Sequence, residues 1–496
     1  MFKNKFKDAN NEIKAPEPLK TSTLNKLLEA SNHSSRKTNK IFNGKPWIPA
    51  GITTIGLTAA LALILSLNGT IAPYFNHRTN TPTGNDTTNE ITPAVVYALG
   101  KPEYPSTLAF DDYQGRNSRL EDINANFLQG VRDFSFTSAD SILNTEDTSN
   151  NSVYSPLSLY MALALLAETT EGSTREEILN LLSINDMNLI SNETPKLFRS
   201  LYIDNEIGKL NLANSLWLSN TYDFKKDTID KLTSNYYAHS FSVDFGDAET
   251  SKSISDWIST NTGGKLGTDP SAFKPDPSQI ISIINTIYFY DQWQNKFDPE
   301  LTKADEFKLS DGTTVSADFM NTQAIQSFSK GNNYTSSSLS FKNQCSMVFI
   351  LPDEGVSPYD IVNNPAALAK AVNYVGTPYE KYGQVTFKIP KFKFTNDLEL
   401  THAIKALGVE EIFSSNADFS PLTDNKGLFV SQVNQSATIA IDEIGCEAAA
   451  FTEILICGSG PSTDKADMIL NSPFIFAIKD SKGIPLFIGV INNPLK

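Results

Sequence analysis

The chain has 496 residues, 40% of them hydrophobic, and a formal charge of −15, enough apolar material for one large domain or several ordinary ones. No dense Lys/Arg surface follows its first residues, which argues against a nucleic-acid partner, because nothing is there to neutralise phosphates. Three cysteines, Cys345, Cys446 and Cys457, and four scattered histidines exclude a disulfide framework and a zinc-type ligand set, so no metal or other cofactor is expected.

Residues 1–45 hold ten basic and four acidic side chains, a net +6 that leaves −21 on the rest. They read as a basic cytoplasmic segment. Directly behind, Trp47 to Phe75 contains no charged residue, and about 20 apolar residues suffice to span a bilayer as a helix. Residues 46–68 are therefore read as a transmembrane signal-anchor. One rival is a cleavable secretory signal, whose apolar core is usually ~7–15 residues behind a short basic leader. Another is a buried core helix, against which stands the lack of any polar face. With the basic flank inside, the positive-inside rule places the chain in the cell membrane as a single-pass protein, its N-terminus cytoplasmic and its long C-terminal part extracellular. Residues 69–117, rich in Thr, Asn and Pro, read as an extracellular linker, with an irregular extension packed on the next domain as the alternative.

From residue 118 to 496 helical and strand patterns mix. Leu120, Ile123, Phe127, Leu128, Val131 and Phe134 recur at helical spacing. Pro156 to Thr170 is apolar nearly all round and reads as a buried helix, and Ser173-Thr174-Arg175-Glu176-Glu177 reads as the capped opening of the next. Strand-like runs follow at Lys209–Ser219, Ser278–Tyr290, Ser346–Pro352, Val385–Phe394, Leu428–Asp442 and Pro473–Asp480. The expected class is α+β with large antiparallel sheets. No G-x-S-x-G elbow and no nucleotide loop occurs, and no His or acid beside Ser459 suggests a triad, so catalytic residues are not named and an enzyme is not expected.

Five strings in fixed order carry a resemblance. They are Asn151-Ser152-Val153-Tyr154-Ser155-Pro156-Leu157-Ser158-Leu159; Asn285 to Trp293 with Phe297, Thr302 and Phe307; Ser346 to Pro352; Ile389-Pro390-Lys391-Phe392; and Met468 to Ile478. Jointly they resemble the serpin family over about Leu120–Lys496, in the manner of a membrane-anchored bacterial-type member. The resemblance implies a single domain at 118–496 with the serpin fold: three mainly antiparallel β-sheets, about eight or nine helices and an exposed reactive-centre loop at about 443–467. It implies a monomer whose partner is a serine protease, trapped covalently when the cleaved loop inserts into the central sheet. The alternative is a non-inhibitory serpin serving as a surface binding or chaperone module.

The implied hinge is Glu443, Gly445, Cys446, Glu447, Ala448, Ala449 and Ala450, with Ile444 between the first two. Side chains alternate along a strand, so Cys446, Ala448, Ala450, Thr452, Ile454 and Ile456 share one face and Glu447, Ala449, Phe451, Glu453, Leu455 and Cys457 the other. The first set is small or apolar throughout, as insertion between two existing strands requires, since overpacking costs about 1–3 kcal/mol per site. Gly445 supplies backbone freedom. This favours the inhibitor over the non-inhibitory alternative.

Counted from the hinge as in the family, the reactive bond falls at Ser459-Gly460, with Cys457-Gly458 competing; counted back from Pro473 it falls near Ser462-Thr463. A small residue before the bond suits elastase-like or subtilisin-like proteases, and no Arg or Lys between Glu443 and Asp464 serves a trypsin-like one. Ser155, Ser158 and Asn285 match a polar cluster that governs sheet opening in the family, with Gln435 in place of its histidine; four satisfied core polar groups are the plainer reading. Trp293 is placed where the loop first enters.

Overall fold

The computed structural model describes residues 96–119, 122–144, 149–267, 269–272, 276–446 and 464–496. The chain divides into two compact units, Met1–Glu90 and Ile91–Lys496, and every described residue belongs to the second. The basic segment and the membrane helix lie outside the described residues, as do Glu447, Ala448, Ala449, Ala450 and the bonds at Cys457-Gly458 and Ser459-Gly460. Among the described residues no helix is long and apolar enough to cross a membrane.

The end of the segment read as a linker is folded. Val96–Gly100 forms strand β1, and Tyr113–Ser118 forms helix α1, capped by Asp112. Helix α2 (Ala125–Leu143) starts where the Asn124 side chain accepts from the N–H groups of Asn126 and Phe127, a turn after the periodicity begins. β2 (Ser152–Tyr154) leads into α3 (Pro156–Thr169), buried along its whole length, with Ser155 as its cap and Pro156 in the first turn. α4 (Gly172–Leu181) opens at Gly172, φ +58, with no side-chain cap. The capping expected of Ser173-Thr174 is absent because both lie inside the helix, where the Thr174 hydroxyl accepts from the Asp418 N–H instead.

Next come α5 (Met187–Leu201), β3 (Ile203–Asp204), β4 (Lys209–Ser219), α6 (Lys226–Asn235), β5 (Ala238–Val243) and α7 (Ala248–Asn261). β6 (Ile281–Gln292), β7 (Lys303–Lys308), β8 (Thr314–Lys330), β9 (Tyr334–Ser340) and β10 (Ser346–Pro352) follow, then α8 (Pro358–Val362) and α9 (Pro365–Val372). β11 (Glu380–Pro390), β12 (Phe392–Glu399), α10 (Thr401–Ala406), β13 (Val430–Ile441), β14 (Gly445–Cys446), β15 (Lys465–Ile469), β16 (Phe474–Lys479) and β17 (Pro485–Ile491) complete the order. The run Val385–Phe394, read as one strand, is two. Pro390 has no N–H to continue the ladder, Lys391 donates its own to Asp318 O, and the chain passes from one sheet to the other.

The first sheet has the order β1-β5-β4-β6-β14-β13-β12, with β3 beside β4. The second runs β15-β11-β8-β9-β10-β16-β17-β2, with β7 beside β8. The 17-residue β8 pairs with β7 and β11 along one stretch and with β9 at its end, so two of the three sheets expected from the sequence are joined into one network. α3 packs on β4 and β6 of the first sheet and on β17 of the second, which explains why it carries no polar face.

Candidate functional site

β6 and β13 run parallel at the middle of the first sheet and pair from Val430↔Ile281 to Ser436↔Thr286. Past that point their pairing stops, and at the far end the two-residue β14 sits between them. Cys446 is opposite both Ile441 and Asp291, and Gly445 is opposite Gln292. The sheet thus has a seam that is closed at one end and occupied at the other by the start of the expected hinge.

Asp442 makes the turn that brings β14 back: its side chain accepts from the Ile444 N–H at 2.8 Å and the Gly445 N–H at 3.2 Å. Glu443 is held on both its groups. Its carbonyl accepts from the Phe297 N–H at 2.9 Å. Its carboxylate meets the Lys391 ammonium at 3.0 Å and the Thr302 hydroxyl at 2.8 Å. Burial raises this carboxyl, but the backbone, Lys391 and Thr302 hydrogen bonds and the Lys391 charge outweigh it and hold the group below the usual glutamate value. The Trp293 backbone N–H donates to Ile444 O at 2.9 Å and its indole N–H to Asp442 O at 2.8 Å. The same indole stacks on Phe341 at 4.4 Å, so one buried aromatic grips the hinge turn from the body of the domain.

Gly445 is required by contact distance. A Cβ there would lie 2.1 Å from the Asp291 carbonyl oxygen and 2.8 Å from Gln292 Cα, both backbone atoms. Cys446 is buried, consistent with the small face of the hinge pointing inward at this first position.

The closed end of the seam carries the expected polar cluster, arranged as two separate pairs. The Gln435 amide accepts from the Ser155 N–H at 2.7 Å and donates to Ser155 O at 3.0 Å. Ser155 Oγ takes the Ser158 N–H at 3.1 Å, which leaves it the role of a helix cap. Asn285 is the backbone neighbour of Gln435, but its side chain turns the other way and donates to Asn214 Oδ1, while Asn214 donates to Tyr236 O at 2.7 Å. Sequence reasoning missed Asn214, Lys391 and Asp291. The signal for Asp291 was there: it is a lone acid within the run Tyr288-Phe289-Tyr290-Asp291-Gln292-Trp293. Among the described residues no group of three His, Cys, Asp or Glu side chains is placed to hold a metal ion.

A family profile described as Serpin (serine protease inhibitor) matches residues 129–494. The chain belongs to the serpin family. Serpin-Z2B of Triticum aestivum is 28% identical to it over 378 residues, covering 73% of this chain and 95% of that protein. Alpha-1-antitrypsin of Meriones unguiculatus is 27% identical over 399 residues, covering 79% and 95%. The crystal structure of the thermophilic serpin tengpin in its native state superposes with a TM-score of 0.69 at 26% identity, over 80% of this chain and 99% of that one. At the level of the family, this serpin is a protease inhibitor with a protease as partner, and not an enzyme.

Proposed function

We propose that this serpin is a suicide inhibitor of serine-type endopeptidases with shallow primary pockets, elastase-like or subtilisin-like, and that the seam between β6 and β13 receives its cleaved loop. The observation that supports this most directly is β14, already seated between the two strands with its register set by Cys446↔Asp291. Continued in that antiparallel register, the loop would pair Ala448 with Phe289, Ala450 with Ile287 and Ile456 with Ile281, the first residue of β6. Cys446 to Ile456 then matches the length of β6, and Ser459 falls just beyond the far edge of the sheet. Thirteen residues from Cys446 at about 3.3 Å each would carry a protease attached at Ser459 about 43 Å. That span favours Ser459-Gly460 over the nearer bond Cys457-Gly458.

The charge-free stretch from Trp47 and its basic flank support a membrane tether that holds the inhibitor domain outside the cell. The test is incubation of the full chain with elastase-like, subtilisin-like, chymotrypsin-like and trypsin-like proteases. We expect an SDS-stable complex with the first two and a released C-terminal peptide beginning at Gly460. Clean turnover of the chain by every protease, with no complex, would remove the inhibitory reading. Protease accessibility on intact cells tests the tether.

A further inference from the structure

One buried carboxylate at the occupied end of the seam has no part in trapping. Asp291 is 1% exposed and lies on β6 directly opposite Cys446. Its oxygens accept from the Gln292 N–H at 2.9 Å, the Asn343 side-chain amide at 3.0 Å and the Asn343 backbone N–H at 3.0 Å. Asn343 sits in the turn between β9 and β10, and its own Oδ1 takes the Asn205 amide at 2.9 Å, which ties in the turn between β3 and β4.

The titratable groups around it are few. From the turn between β9 and β10 come Lys342, whose ammonium donates to Gln292 Oε1 at 3.4 Å, and Cys345. From β14 comes Cys446. From the side of β3 and β4, Lys209 pairs with Asp204, and Glu206 accepts from the Phe110 N–H. Glu443 of the hinge is engaged by Lys391. Burial, opposed by the Asn343 and Gln292 hydrogen bonds and the Lys342 charge, pushes the Asp291 carboxyl up to about 7.

Directly opposed residues of an antiparallel pair put their side chains on the same face, about 5 Å apart. β14 is therefore the cover over this carboxyl, and the close approach of Gly445 to the Asp291 carbonyl leaves no gap for water between the strands. Withdrawing β14 would open Asp291 to solvent, where a carboxylate is far better accommodated than in the closed site.

We propose that Asp291, with the Asn343 turn it holds, is a proton-sensitive latch: the protonated side chain keeps Gly445–Cys446 seated, and loss of the proton favours withdrawal of the hinge. The inference rests on reading β14 as the start of the inserting loop. It gives this serpin a loop that is restrained in acid and released toward neutrality. The sign follows from linkage. The seated state holds its proton up to about 7 and the withdrawn state only to the ordinary value near 4, so withdrawal gains up to about tenfold per pH unit between them and then levels.

The test uses amide exchange of the full chain at pH 5, 6, 7 and 8, corrected for intrinsic rates. The Trp293 and Phe297 amides donate to the Ile444 and Glu443 carbonyls, so their exchange reports withdrawal. A second readout is alkylation of Cys446 with Cys345 and Cys457 replaced by Ser. We expect both rates to rise by up to about tenfold per unit to pH 7 and then level. Asp291→Asn should flatten the profile, and Asn343→Ala, which removes a bond favouring the carboxylate, should move the plateau to higher pH. A flat wild-type profile, an unchanged slope in Asp291→Asn or an unmoved plateau in Asn343→Ala would overturn the latch. Neither readout involves a protease, so failure of the latch and failure of trapping are seen separately.

Discussion

Gly445→Ala is the sharpest test of how the hinge is seated. The added methyl would stand 2.1 Å from the Asp291 carbonyl oxygen, with Gln292 Cα at 2.8 Å, and neither atom is the tip of a flexible side chain. Relief requires the strands to part by roughly 1 Å, and overpacking of this kind costs about 1–3 kcal/mol. Against it stand the Trp293 to Ile444 and Phe297 to Glu443 backbone hydrogen bonds, each about 1 kcal/mol net, and burial of the Cys446 side chain, about 1 kcal/mol more. The two sides are comparable. The variant should leave the rest of the sheet intact while shifting the hinge toward withdrawal by about ten- to a hundredfold, at 1.4 kcal/mol per tenfold. Exchange of the Trp293 and Phe297 amides measures this directly, with the Ser155 and Ser158 amides at the closed end of the seam as an internal control. Exchange unchanged within twofold, in a protein whose unfolding midpoint is also unchanged, would refute the close packing of β14 against β6.

Three further outcomes are expected. Glu443→Gln should cost about 1 kcal/mol at neutral pH, because its charge-assisted bonds to Lys391 and Thr302 are only partly shielded from water. The wild-type carboxyl is held below its usual value, so its contribution is present above that value and lost as pH falls through the depressed one; urea titrations of both proteins should converge in acid. Gln435→Leu should lower stability by about 1–3 kcal/mol by leaving the buried Ser155 N–H unpaired, whereas Ser155 O keeps the Leu159 N–H. Ala450→Arg should convert the inhibitor to a substrate, because position 450 continues the buried face begun at Cys446 and an unpaired guanidinium there opposes insertion; gels showing the covalent complex undiminished would count against insertion.

The sequence made some of this legible and hid the rest for physical reasons. α3 could be read because Pro156 to Thr169 has no polar face, and β4 and β10 because each is a continuous apolar run, the form taken by a strand buried on both faces. β7 and the outer part of β8 could not. Lys303–Lys308 exposes all but Phe307, so no alternation marks it, and it is a strand only through its pairing with β8. β1 was hidden among Thr, Asn and Pro for a related reason: its strand character comes from the edge of β5 that it completes. At the site, hinge and cluster residues could be found by their order along the chain. Which partner each side chain chooses depends on register, and register is what sends Asn285 to Asn214 rather than to Gln435.

The two ends of the seam differ in kind, and that fixes where pH can act. The closed end is neutral: Gln435, Ser155, Asn285 and Asn214 hold it with amides and hydroxyls that do not titrate near neutrality. The occupied end has the ionisable groups, Asp291 and the Glu443–Lys391 pair. A third ionisable group lies away from the seam, toward the sheet edge. His239 on β5, beside Tyr104 of the N-terminal segment at 5.9 Å, is pushed down to about 4 by burial and the nearby Lys101 charge. Its neutral form is the one the fold accommodates, so as pH falls from about 6.5 to 4 the native state loses up to about 3 kcal/mol there. Acid therefore acts in opposite senses at two places on one sheet. It loosens the edge where Tyr104 and its neighbours pack beside β5, and it tightens the hinge at Asp291. Below pH 6, exchange should rise at the β1 and β5 amides while it falls at Trp293 and Phe297, and a uniform change across the sheet would mean that a global unfolding equilibrium, not these two groups, governs both.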